Sequence, residues 1–174
     1  MKKVVLLLMM TLIGMTGYAQ DNAQAGTLKF GYLSYEAVFQ AMPEYAAMQA
    51  NMEQLRSQYE AEMKRVEDDF NKKYEEFLDG QSGYPQTILQ KRQAELQELL
   101  DRNIAFKKES QRLLDKAKAE AEAPLKARLY EVLAKVASER GFAFVLNTDV
   151  NAVPWLNVAM GENITDTVKD ALQQ

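Results

Sequence analysis

From Glu44 to Leu78 the chain holds no proline and no glycine, and a helical pattern runs through it unbroken. A single dense cluster of breakers follows, Asp79-Gly80-Gln81-Ser82-Gly83-Tyr84-Pro85, and a second helical run then continues towards Arg140. Two long runs separated by one tight turn fold back on each other as an antiparallel hairpin. About 35 residues at 1.5 Å each make the first arm roughly 52 Å long. The rest of the chain has to be arranged around that rod.

A thin apolar thread runs along the first arm: Met48, Met52, Leu55, Tyr59, Met63, Val66, Phe70, Tyr74 and Phe77. Its steps of 4, 3 and 4 repeat every eleven residues, or 3.67 per turn, which favours a straight or slightly right-handed course. The second arm carries Leu96, Leu99, Asn103, Phe106, Ser110, Leu113 and Ala117, a heptad seam with two polar positions. Leu100, Ile104 and Leu114 widen that face. The two periods disagree, and the polar residues sit where a tight coiled coil places leucine, so a loosely packed hairpin is expected. Met and Tyr on the thread adapt to many shapes and tolerate partial wetting. This makes Met48, Met52, Tyr59, Met63, Phe70, Tyr74 and Phe77 candidate contacts for a partner; the plainer reading makes them the seam against the second arm.

Pro43 suits the first turn of a helix. Pro124 lies inside AEAEAPLKARLYEVLAKV, where it removes a hydrogen bond and favours a kink. Folding the chain about Ser82 sets Pro43 opposite Ala121, so both prolines mark the base of the arms. Beyond Pro124 the apolar face broadens to Leu125, Leu129, Val132, Leu133 and Val136, as on a helix packed against a core.

The flanks supply that core. Leu28-Lys29-Phe30-Gly31-Tyr32-Leu33 reads as a strand, and Ser34 is placed to cap a short helix through Phe39. Gly141 ends the second arm. Phe142-Ala143-Phe144-Val145-Leu146 is apolar on both faces and reads as a strand covered on both sides. Val153 to Val158 reads as an edge strand, because Pro154 cannot donate within a sheet interior. Asn163 or Thr165 caps a last helix, Asp166 to Leu172.

The fold class expected is α+β: a small strand-containing body at 28–42 and 125–174, with a helical hairpin at 43–124 inserted between its strands and a tip near 79–85. A body of about 65 residues is a meagre core for such arms, and oligomerisation is the natural remedy.

Residues 1–19 read as a cleavable export signal: Lys2 and Lys3, an apolar run from Val4 to Met15, then Gly17-Tyr18-Ala19. The run spans about 18 Å as a helix, short of the roughly 30 Å hydrocarbon core. A polar lead-in occupies 20–27. Without the two signal lysines the chain has 19 basic and 25 acidic residues, a net charge of −6. That disfavours a generic nucleic-acid binder.

Cys and His are both absent. Disulfides, thiolate or imidazole metal sites and the commonest general base go with them. Glu67-Asp68-Asp69 and Glu75-Glu76 read as solvated helix surface, and Gly80-Gln81-Ser82-Gly83 lacks the strand and lysine of a phosphate loop. Asn163-Ile164-Thr165 matches the glycosylation triplet but suits a helix cap at least as well. No active site emerges and no cofactor is expected. Three classes stay open: a protein whose stripe residues face an enclosed space and touch a partner, a coiled-coil adaptor or spacer in the cell envelope, and a hydrolase or transferase using carboxylates alone.

The order of these parts, with LKFGYLSYEAVF and the following MPEY at one end and GFAFVLNTDVNAVPWLN and ITDTVKDAL at the other, resembles the Skp (OmpH-like) family of periplasmic chaperones. The resemblance covers the mature chain, and the two ends are its specific parts. It implies an ATP-independent homotrimer. Strands of three subunits form a central barrel, and the arms enclose unfolded outer-membrane proteins. On that reading Leu28, Phe30, Tyr32, Phe142, Phe144, Leu146, Val153 and Trp155 are candidates for the trimer core. The best-known members are strongly basic with positive arm tips. Here the chain is acidic and Asp79 to Tyr84 carries no positive charge, so a lipopolysaccharide site is not carried over and membrane contact is indirect.

Overall fold

The computed structural model describes residues 28–149 and 153–173. The expected signal and lead-in lie outside the described residues. Strand β1 (Phe30–Leu33) leads into helix α1 (Tyr35–Gln40), whose N-cap Ser34 accepts a 3.1 Å hydrogen bond from the Ala37 N–H. Helix α2 (Pro43–Gly80) starts with proline at its first position, where the missing donor costs nothing. A short 3₁₀ turn (Gln81–Gly83) joins it to helix α3 (Gln86–Glu139). At Gly80 a Cβ would stand 2.3 Å from the Tyr84 hydroxyl, so glycine lets Tyr84 fold back over the tip.

At 38 and 54 residues these helices are about 57 and 81 Å long. Helix α3 passes through Pro124 without interruption; the proline is exposed, and its missing bond is lost on the solvated side. Gly141, at φ +67°, ends the helix in the left-handed conformation that glycine adopts without strain. Asn103 meets Val66 and Arg128 meets Glu44, which places the fold-back near Tyr84–Pro85. The base of the arms is therefore at Glu44 and Arg128, about two turns below the Ala121 expected from a fold-back at Ser82.

Strands β2 (Phe144–Asn147) and β3 (Glu162–Asn163) flank β1 in a parallel sheet of order β2-β1-β3. The hairpin is thus the crossover between β1 and β2, as expected for an insertion. Register pairs Phe30 with Phe144 and Tyr32 with Leu146. Helix α4 (Thr165–Leu172) closes the body, and Asn163 Oδ1 accepts from the Thr165 N–H at 3.0 Å.

Two strand expectations are corrected. Val153 to Val158 takes no strand conformation; the edge beside β1 is instead the two-residue β3. Pro154 lacks the donor a ladder needs, whereas Glu162 and Asn163 are brought to β1 by the docking of Ile164, whose N–H donates to the Tyr32 carbonyl at 2.9 Å. Among the described residues of the single chain, strand β2 is covered on one face only. Leu33, Val38, Phe39, Met42, Met48, Leu125, Leu129, Val136, Ile164, Val168 and Leu172 form the core, with Val145 packed against it. The opposite sheet face carries Phe30, Tyr32, Phe144 and Leu146, and no described element packs over it.

Candidate functional site

Along the arms, the eleven-residue thread of α2 lies against the heptad seam of α3. Tyr59 and Phe106 approach at 6.5 Å between ring centroids, and Asn103 Nδ2 donates to the Val66 carbonyl at 3.0 Å. The thread is seam first. Met48 is buried in the body core and Phe77 is buried near the tip, so neither is available to a partner in this arrangement. Met52, Tyr59, Met63 and Phe70 are half-buried, and Tyr74 is exposed with its ring stacked on Phe70 at 6.0 Å.

The seam does not close evenly. Grooves run between the helices. A groove of about 810 Å³ is floored by Met52, Tyr59, Met63 and Leu114 beside Ser110. One of about 400 Å³ brings together Met63, Val66, Phe70, Leu100, Asn103 and Ile104. A third, of about 340 Å³, lies near the tip between Phe77, Tyr84, Leu96 and Leu99. Groove-lining Ile104 is 59% exposed and Leu100 is 38% exposed. Among the thread candidates only Tyr74 is as open, so the widest apolar exposure on the arms belongs to α3. The signal was the widening of the seam by Leu100, Ile104 and Leu114, which periodicity alone marks only as a broader face.

Among the described residues, charge links the arms to each other only at their base. Pairs such as Lys64–Asp68, Arg65–Glu62, Lys73–Asp69 and Arg112–Glu109 link residues three or four apart on one helix. Among the described residues Glu44–Arg128 is the one ion pair that joins α2 to α3, at the base. The Arg65 and Arg112 guanidinium groups hold the Glu62 and Glu109 carboxyls below the usual range through direct hydrogen bonds. Such exposed pairs support helix more than they fix tertiary structure. The hairpin is therefore held by its apolar seam, and the seam is incomplete.

The body offers a second surface. Phe30 and Phe144 stack at 5.5 Å on the open sheet face, and Phe144 remains 45% exposed. Tyr32 and Leu146 extend the same face and are half-buried. Leu28 and Trp155 are exposed, as are Val158 and Met160 in the loop that precedes β3. Sequence reading missed the last two because nothing in the loop's pattern separates them from ordinary coil. Val153 is half-buried in coil. Phe142 departs from its expected place: it packs on the core side beside Gly31 rather than on the open face. On the core side of the sheet, Tyr35 and Tyr130 stand 6.1 Å apart, and burial together with the neighbouring phenol pushes Tyr35 up to about 12.

No helix among the described residues is long and apolar enough to cross a membrane, and none of their acidic groups cluster as metal ligands. What the surfaces offer chemically is apolar contact along grooves rimmed by charged side chains of both signs, such as Arg56, Glu60, Lys107 and Arg112, plus one aromatic face.

Comparison with known proteins places this geometry. No curated protein matches the chain. A crystal structure from Caulobacter crescentus CB15, described provisionally as an outer membrane chaperone (OmpH-like), superposes with a TM-score of 0.65. It is 20% identical over 83% of this chain and 82% of that one, a likeness that shows the fold. The family model described as outer membrane protein (OmpH-like) matches residues 29–172 and so spans the body and both arms. The chain belongs to the OmpH-like family.

Proposed function

We propose that this protein is an ATP-independent holdase of the periplasm. It binds unfolded outer-membrane proteins between export and insertion and so keeps them from aggregating. Membership of the OmpH-like family supports a chaperone. The observation that carries the reading is the run of unclosed grooves, with Met, Tyr, Phe, Leu and Ile side chains between charged rims, along arms that one cross-arm ion pair joins at the base. A chain held by many weak contacts on adaptable side chains needs no fixed client shape.

The client surface we assign centres on Met52, Tyr59, Met63, Phe70 and Tyr74 of α2, joined by Leu100 and Ile104 of α3. The working unit is a homotrimer whose subunits bury the open sheet face of Phe30, Tyr32, Phe144 and Leu146, with Leu28 and Trp155 at its margin. That face leaves large aromatic side chains uncovered on a small body, and burying such area jointly is the usual remedy.

The test replaces Leu100 and Ile104 with Gln in one variant and Met52, Tyr59 and Met63 with Gln in another. Gln is a good helix former, so exposed positions tolerate it. Aggregation of a chemically unfolded β-barrel protein is followed by light scattering without nucleotide, and helicity by circular dichroism. Lost holding with helicity intact is the expected result for the Leu100/Ile104 pair. The triple variant removes seam contacts as well, so some helicity falls with it. Unchanged aggregation in both variants, with the parent protein also inactive, favours a coiled-coil spacer instead.

A further inference from the structure

Ser110 occupies a seam position of α3, between Phe106 and Leu113, where the heptad calls for a large apolar side chain. Only 2% of it is exposed, and its Oγ finds no hydrogen-bond partner among the described residues. Its seam counterpart Asn103 solves the same problem by donating to Val66. Tyr59 lines the same groove as Ser110 and is itself half-buried, leaning on Phe106. A small residue there makes room for the Tyr59 ring, but alanine does that equally well without an orphaned hydroxyl. A buried hydroxyl with no partner is destabilising. The closed seam therefore carries an unfavourable layer at mid-arm, away from both the tip and the base.

We propose that the Tyr59–Ser110 layer is a built-in opening point, at which α2 and α3 part locally while the hairpin stays closed on either side. In the open form water or a bound chain satisfies the Ser110 hydroxyl. Met52, Tyr59 and Met63, which the closed seam half-buries, become accessible. This deepens the holdase reading and rests on it for what the opening is used for; the opening itself is a property of the protein alone. It also explains why thread residues can be both seam and client contact.

Native-state hydrogen exchange on the full protein tests it. Segments 55–63 and 106–114 are expected to exchange faster than 66–77 on the tip side and 117–125 on the base side, giving a maximum at mid-arm. Ser110→Ala keeps the volume and removes the orphan, and slows exchange in the mid-arm segments about fivefold or more. Because alanine also favours helix, Ser57→Ala on the exposed face of α2 is the control, with a smaller effect. Exchange that rises steadily from base to tip overturns the proposal, since that is fraying. Equal slowing in Ser110→Ala and Ser57→Ala overturns it too. Holding assays on the same variants address the holdase reading separately. If Ser110→Ala closes the mid-arm yet holds clients as well as the parent, the opening stands and Met52, Tyr59 and Met63 are not client contacts.

Discussion

The body is richer in apolar residues than the arms, and it also buries them far more completely. In the body Val38, Leu129, Ile164, Val168 and Leu172 are at or near zero exposure, brought together from a short helix, a long helix and the chain's end. In the arms Met52, Leu55, Tyr59, Met63, Val66 and Phe70 are each only half-covered by one opposing helix. A side chain gains stability in proportion to the area it loses to water. Two helices alone cannot enclose one another's faces, whereas three layers can. The arm is therefore a region of low local stability carried by a region of high stability, which is where segments that move and bind are drawn from.

The sharpest way to break that comparison is to make one substitution in both places. Leu129→Ala removes a fully buried side chain at the junction of α3 with α1 and α4, and costs about 2–5 kcal/mol. Leu99→Ala removes a half-buried one from the seam and costs about 1 kcal/mol. Urea unfolding followed by circular dichroism reads both. Equal losses mean the arm seam is packed as tightly as the core.

Next in size is the open sheet face. Phe144→Asp puts a charge where the single chain leaves the side chain 45% exposed, so an isolated subunit tolerates it. If subunits cover the face, the same charge becomes buried and unpaired, at a cost of several kcal/mol. Sedimentation is expected to show a smaller species with helicity kept. An unchanged assembly removes Phe144 from any subunit contact.

Much of this contrast was legible beforehand, and the reasons differ by residue. Period and breakers placed both helices to within a few residues, because Pro43, Gly80 and Gly141 each act on the backbone locally. The polar seam positions Asn103 and Ser110 were visible as such. That one of them finds a carbonyl and the other nothing depends on where α2 places Val66, which no spacing reports. Strand β3 was illegible because Glu162 and Asn163 have no strand preference of their own; their pairing is imposed by β1 and by the burial of Ile164. Phe142, a trimer-core candidate through the family resemblance, packs on the core instead, because it lies before the strand begins and turns towards Gly31.

A smaller change sharpens the arm side. Asn103→Leu gives α3 an unbroken apolar seam from Leu96 to Phe106. It forfeits one hydrogen bond to Val66 and gains partial apolar burial in the groove beside Ile104. The balance is a stabilisation of about 1 kcal/mol, read as a higher urea midpoint for arm helicity. A destabilised arm means that the Asn103 bond sets the spacing of the helices rather than filling a gap.

The smallest expected effect concerns the one ion pair across the arms. Glu44 and Arg128 are both about half exposed, so Glu44→Gln costs about 0.2–1 kcal/mol. The direction of the change is less informative than its location and its salt dependence. Arg128 also donates to the Leu172 carbonyl at 2.8 Å, a bond that docks α4 onto α3 and does not involve Glu44. Losing the carboxylate therefore loosens the first turn of α2 while α4 stays in place. Hydrogen exchange should quicken at residues 44–48 and stay unchanged at 165–172. At about 1 M salt, where the screening length falls to roughly 3 Å, the parent and the variant should converge. Quickened exchange in both segments means that Glu44 holds Arg128 in position for Leu172. The base of the arm and the end of the body would then form a single cooperative unit, and the contrast between the two regions would begin above that base.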